Sequence, residues 1–193
     1  RDRRVGGRQM IQDDLLKFIA LIDARLEKAA IPYMLTGSVA MTFYAVPRMT
    51  RDIDVVVQCD LRSLDVLVSV FSPDCYVDRD EVLAALRTGD MFNIIHKEWL
   101  IKADLIPCKH GEFRELEFSR RRRIEMEVGS CWVVSPEDLI LSKLDWSKES
   151  GSEMQQRDIA GLVRTAQKLD WKYLEKWAKA LGVIDELDRA RQS

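Results

Sequence analysis

From Met10 to Ala29 the apolar positions Ile11, Leu15, Phe18, Ile19, Ile22 and Leu26 recur at three- and four-residue steps with charges between them, the spacing of an amphipathic helix. Pro32 ends the connection that follows. Tyr33 to Leu35 reads as a short apolar strand, Gly37-Ser38 as a turn, and Val39 to Tyr44 as a short helix stopped at the Val46-Pro47 bend. Ile53 to Val57 is a β-branched run suited to a buried strand, with Asp52 and Asp54 at its entrance. Leu61 to Val70 and Glu81 to Leu86 predict helices, whereas Met91 to His96 and Trp99 to Ile106 predict consecutive strands of a mixed sheet. Glu125 to Val134 predicts further strand.

Beyond Val134 the pattern changes. Ser135-Pro136-Glu137-Asp138 has the chemistry of a helix start: serine to cap, proline at the first helical position, acids in the first turn. Leu139 to Trp146, Met154 to Gln167, Trp171 to Leu181 and Ile184 to Ala190 continue with helical spacing, and a loop over Lys148 to Ser152 separates the first two. The expected class is α/β (α+β). A small mixed β-sheet flanked by helices occupies residues 10–134, and a helical C-terminal subdomain residues 135–193. Trp146, Trp171 and Trp177, with Tyr173 and Leu174, are expected to form the packing core of that subdomain rather than a stacking platform.

Composition narrows the function classes. The 193 residues are 47% hydrophobic and 32% charged, enough apolar surface for a core and too much for a disordered chain. With 30 Lys+Arg against 32 Asp+Glu the formal net charge is −2, which argues against a dedicated non-specific DNA binder. No apolar run approaches the roughly 18 to 20 residues of a membrane span, and the basic start is followed by no signal-peptide core, so a cytoplasmic protein with no membrane partner is expected. Cys59, Cys75, Cys108 and Cys131 are scattered without a C-x-x-C pair, and neither His96 nor His110 forms a ligand pair with them, which disfavours a zinc module and predicts reduced thiols, partly in the core.

The candidate chemistry lies in Leu35-Thr36-Gly37-Ser38 and in Arg48-Met49-Thr50-Arg51-Asp52-Ile53-Asp54. Side chains two apart on a strand share a face, so Asp52 and Asp54 point the same way. Two carboxylates that close need a cation, either a divalent ion such as Mg²⁺ or an arginine such as Arg48 or Arg51. Gly37-Ser38 offers backbone N–H groups at a helix start, where phosphate can lie. Asp104, isolated in the apolar run Leu100 to Ile106, supplies a third carboxylate from a neighbouring strand.

Gly37-Ser38, then Asp52-Ile53-Asp54, then a later strand carrying Asp104 resembles the polymerase-β-type nucleotidyltransferase superfamily. Within it, Arg48-x-Thr50-x-Asp52-Ile53-Asp54 is similar to the small bacterial AbiEii-like group, several members of which are toxins of toxin–antitoxin pairs. Ser135 to Leu144 and Gln156 to Ile159 resemble that group's later segments. The resemblance implies a nucleotidyltransferase fold and transfer of a nucleoside monophosphate from a nucleotide triphosphate, with Asp52, Asp54 and Asp104 as catalytic residues binding Mg²⁺ or Mn²⁺. Gly37, Ser38, Arg48, Thr50, Lys143 and Asp158 would hold the nucleotide. The implied acceptor is tRNA, other RNA or protein, with a cognate antitoxin as partner; the alternatives are a small-molecule, aminoglycoside-type enzyme and a non-catalytic nucleotide-binding module. Read from the residues alone, Lys143 is equally a lysine snorkelling from a helix, and Asp158 a partner of Arg157 or Arg164. The run Arg120 to Arg123 reads as a charged connection facing water, balanced by Glu115, Glu117, Glu125 and Glu127, with contact to RNA phosphates as its other reading.

Overall fold

Helix α1 (Arg3–Lys28) lays the predicted apolar stripe, Phe18, Ile19, Ile22 and Leu26, into the core. The computed structural model describes residues 3–45, 52–150, 152–166 and 168–192, and the side chains of all of these except 3–12 and 149–150. After α1 come β1 (Tyr33–Thr36), α2 (Gly37–Met41), β2 (Asp52–Val57), a 3-10 turn at Leu61–Ser63, α3 (Leu64–Phe71), β3 (Cys75–Tyr76), α4 (Arg79–Thr88), β4 (Phe92–His96) and β5 (Lys102–Pro107). Then follow α5 (Glu112–Ser119), β6 (Arg122–Met126), β7 (Gly129–Val133), α6 (Pro136–Ser150), α7 (Glu153–Thr165), α8 (Trp171–Leu181) and α9 (Ile184–Gln192). The fold is mixed α/β, as the hydrophobic pattern indicates.

The described strands form one mixed sheet in the order β3-β4-β5-β2-β1-β7-β6. Its centre is set by two relations: β1 runs antiparallel to β2, and β2 runs parallel to β5 through the crossover that carries α3 and α4. Because the alternation of β2 buries Ile53, Val55 and Val57 completely on one face, Asp52 and Asp54 are forced to the other. Helix α6 begins where the sequence places it. The Asp138 N–H donates to Ser135 Oγ at 3.2 Å, and the Ser135 hydroxyl returns a bond to the Asp138 carboxylate at 2.5 Å. Leu139, Ile140, Leu141 and Leu144 of α6 belong to the same hydrophobic cluster as the sheet.

Several expectations need correction. Gly37-Ser38 is not a separate turn: the two residues open α2 directly after β1, with Thr36 in the N-cap position. Residues 125–134 are not one strand but parts of a hairpin, β6 and β7, turning at Glu127-Val128, with Gly129 opening β7 at φ +104°. Helix α6 continues to Ser150, so the expected loop over 148–152 shrinks to its last residues. Helix α5 was not anticipated, because its apolar positions Phe113, Leu116 and Phe118 are diluted among four charges and lack a clean period. Trp146 is 40% exposed rather than core: α6 is enclosed from Pro136 to Leu144 and emerges near its end, leaving that phase outside. Trp177 is buried as expected, its ring 5.4 Å from that of Phe113. All four cysteines are free thiols, Cys75 and Cys131 in the core.

Candidate active site

Strand register assembles the site. On the parallel pair β2 and β5, Asp52 lies opposite Lys102 and Asp54 opposite Asp104, while the antiparallel neighbours set Thr36 beside Asp54 and Asn93 beside Asp104. In-register side chains on adjacent strands share a face, so Thr36, Asp54, Asp104 and Asn93 form a row across four strands, with Asp52 and Lys102 in the next row. The structure therefore brings the three aspartates to one end of the β2–β5 pair.

Asp54 is held by the start of α2. The Ser38 backbone N–H donates to its carboxylate, and Gly37, at φ +62°, lies directly beneath it. A Cβ on Gly37 would stand 1.9 Å from Asp54 Oδ2, so no side chain fits while Asp54 keeps its place. The glycine is thus required twice, by its left-handed backbone and by the close approach. The Ser38 N–H, expected to face phosphate, is directed at Asp54 instead. Gly37→Ala is expected to displace the Asp54 carboxylate and cut any activity that depends on it by about a hundredfold, the scale of an ångström-sized misplacement. Turnover measured beside the melting temperature checks this: equal activity in a folded variant would refute the close approach.

The electrostatics are those of crowded acids. Burial pushes the Asp54 carboxyl up to about 6, and the neighbouring Asp104 carboxylate adds to the shift. The Ser38 N–H opposes it, Asp52 contributes a further rise, and the Lys143 ammonium pulls the other way. Asp104 is buried, with Oδ2 paired to Lys102 Nζ at 2.9 Å and Oδ1 without a hydrogen-bond partner. Lys102 Nζ also lies 3.8 Å from Asp52 Oδ1, and the hydrogen bond to Asp104 holds its own proton more tightly than usual.

Among the described residues no three carboxylate, imidazole or thiol groups converge as a ready metal cage in this conformation. The donor set nonetheless fits a hard divalent cation. It consists of carboxylate oxygens, one of them the buried Asp104 Oδ1 that lacks a donor, and no soft ligand.

Lys143 and Asp158 meet each other. Lys143 Nζ on α6 donates to Asp158 Oδ2 on α7 and to Gln155 Oε1, both at 3.0 Å, and the side chains of the pair are 2% and 5% exposed. The lysine does not snorkel to solvent, and Arg157 pairs with Glu153. Arg48, Thr50 and Arg51 lie outside the described residues. Lys102, Asn93 and Gln155 were not singled out from the sequence. Lys102 carried a usable signal, since it stands two residues before Asp104 and so shares its face.

Arg122 and Arg123 face water, as expected of this connection, but the acidic partners of the run are not its neighbouring glutamates. Arg120 pairs with Asp138 at 3.0 Å and stacks 3.9 Å over the Tyr173 ring. Arg121 lies over Phe118 and Trp132, Arg122 pairs with Glu137 at 3.5 Å, and Arg123 pairs with Asp23 at 2.6 Å. Among the described residues no helix is long and apolar enough to cross a membrane.

No family model and no curated protein matches the chain. Solved structures do. An antigenic nucleotidyltransferase-like protein from Paracoccidioides brasiliensis superposes with a TM-score of 0.56 at 17% identity, over 93% of each chain. The antibiotic-resistance factor ANT(2")-Ia, solved in complex with adenylyl-2"-tobramycin, gives 0.49 at 13% identity over 94% of this chain and 99% of that one. The lincosamide adenylyltransferase LnuA gives 0.47 at 14% identity over 79% and 94%. The likeness to the Paracoccidioides protein is one of fold: this chain has the nucleotidyltransferase fold.

Proposed function

We propose that the chain is a metal-dependent nucleotidyltransferase, moving a nucleoside monophosphate from a nucleotide triphosphate to a hydroxyl acceptor with release of pyrophosphate, with Asp52, Asp54 and Asp104 as its catalytic carboxylates. The observation that carries this reading is the in-register pairing of Asp54 with Asp104, beside Asp52, on the central strands of a nucleotidyltransferase fold. A D-x-D alone is a common strand entrance. A D-x-D with a third acid locked beside it, and a glycine stripped of any side chain beneath it, is a costly arrangement that structure alone does not require.

In this reading Asp52, Asp54 and Asp104 hold Mg²⁺ or Mn²⁺. When bound, the ion neutralises the triphosphate and polarises the phosphorus under attack. Asp104 receives the acceptor's proton at a carboxylate oxygen, and Gly37 keeps Asp54 fixed so that the carboxylates do not relax away from each other. Lys143 supplies positive charge to Asp54, oriented by Asp158. Arg48 and Thr50 complete the nucleotide site by the resemblance of their segment, which is also what supports a toxin-type enzyme with RNA or protein as acceptor. The Arg120 to Arg123 run gives that choice no support of its own, since each of its guanidinium groups already has a partner within the molecule.

The test is transfer from each of the four labelled ribonucleotide triphosphates with Mg²⁺ or Mn²⁺, offered tRNA, a cell protein extract and an aminoglycoside panel. Label in one acceptor, lost in Asp54→Asn, is the expected result and identifies the acceptor class. No label anywhere, together with no metal-dependent nucleotide binding by calorimetry, would overturn the reading in favour of a non-catalytic module.

A further inference from the structure

We infer that Lys102 is a tethered counter-ion that occupies the cation position of the carboxylate site, so that a divalent ion enters only by displacing its ammonium group. The inference rests on the proposed metal role of Asp52, Asp54 and Asp104, and goes beyond it by assigning a function to a residue that role does not include.

The geometry is specific. Lys102 is the residue on β5 that the parallel register sets opposite Asp52, and its alternation with Asp104 puts both side chains on one face. Its Nζ lies 2.9 Å from Asp104 Oδ2 and 3.8 Å from Asp52 Oδ1, between two of the three carboxylates proposed to share a metal. The other oxygen of Asp104 has no donor at all, so the ammonium satisfies the site only in part. Among the described residues no three ligand groups converge as a ready metal cage, and two of the three carboxylates face the Lys102 ammonium instead.

Lys102 is also able to leave. Its side chain is 37% exposed, against 9% for that of Asp104, and its four-carbon stem can carry the ammonium into water without moving the strand. A divalent ion brings twice the charge and more oxygen ligands than one ammonium group can satisfy, so exchange is favourable once the ion has shed enough water. The residue thus has opposite effects on the two states. It stabilises the metal-free protein by neutralising crowded acids, and it weakens metal binding by the cost of its own displacement.

Lys102→Met keeps the length of the stem and removes the charge. Mn²⁺ binding, read by the loss of the free-ion paramagnetic resonance signal and by calorimetry without nucleotide, is expected to become on the order of tenfold tighter in this variant. The metal-free variant is expected to melt lower than the parent, and saturating Mn²⁺ to close that gap. Lys102→Gln, which retains polarity, should behave like Lys102→Met, whereas Lys102→Arg, which retains charge, should bind Mn²⁺ no more tightly than the parent. If the parent takes up Mn²⁺ and both neutral variants bind it with equal or lower affinity, Lys102 is not a competitor and the inference falls while the metal site stands. If neither the parent nor Lys102→Met binds Mn²⁺ at millimolar concentration, the metal reading itself falls and the inference with it.

Discussion

Asp54→Asn is expected to cut nucleotide transfer by a thousandfold or more, on the order of what an enzyme loses with a principal charge-stabilising group, while making the metal-free protein more stable at neutral pH. The two effects share one cause. Asp54 is partly buried beside Asp104 and Asp52, and its carboxyl is pushed up to about 6 from the ordinary value of 3.8. Between those values the folded state holds a proton that the unfolded state has released. Its contribution to stability is therefore complete below about pH 4 and is lost as pH rises through about 6. Asparagine keeps the shape and still accepts the Ser38 N–H, but it has no proton to lose. The variant should therefore match the parent near pH 4 and exceed it at pH 7.5 by up to about 3 kcal/mol. Urea unfolding with a chelator at both pH values measures the difference. A stability change that does not depend on pH would show that the acids are not in electrostatic conflict.

How far the sequence reveals this site depends on which contacts are local. Asp52 and Asp54 are legible because a two-residue period needs no knowledge of the partner strand. Asp104 is legible because one charge in an apolar run needs a reason. The clash that demands glycine at position 37 is not, because it exists only once β1 and β2 pair with Thr36 opposite Asp54. Lys102 reads alone as a lysine at a strand entrance, and its meaning comes from the parallel register that sets it opposite Asp52. The acidic partners of Arg120, Arg122 and Arg123 lie on α1 and α6, so local charge balance points to the wrong glutamates. In the fold the same division holds. The long periodic helix α1 and the β-branched strand β2 are evident from pattern, whereas α5 and the two-residue β3 owe their conformation to what they pack against.

Lys143 joins the site to the helices behind it, and Lys143→Met is expected to be the most destabilising single change at the centre of the molecule. The pair it forms with Asp158 is withdrawn from water on both sides. Removing the lysine alone takes the buried Asp158 carboxylate's ammonium partner away, at a cost of about 3 to 5 kcal/mol, or a melting point lower by about 10 °C in a chain of this size. Replacing both members, Lys143→Met with Asp158→Leu, removes the buried carboxylate as well, and by the behaviour of buried ion pairs should restore most of the lost stability. It should not restore transfer, because the Lys143 ammonium, second to the Ser38 N–H, draws the Asp54 carboxyl down against burial and its acidic neighbours. Thermal unfolding and turnover of the two single variants and the double variant separate the two roles. A double variant that regains both stability and activity would make the pair a structural tie between α6 and α7. One that regains stability alone would show that the charge is kept inside the protein for Asp54.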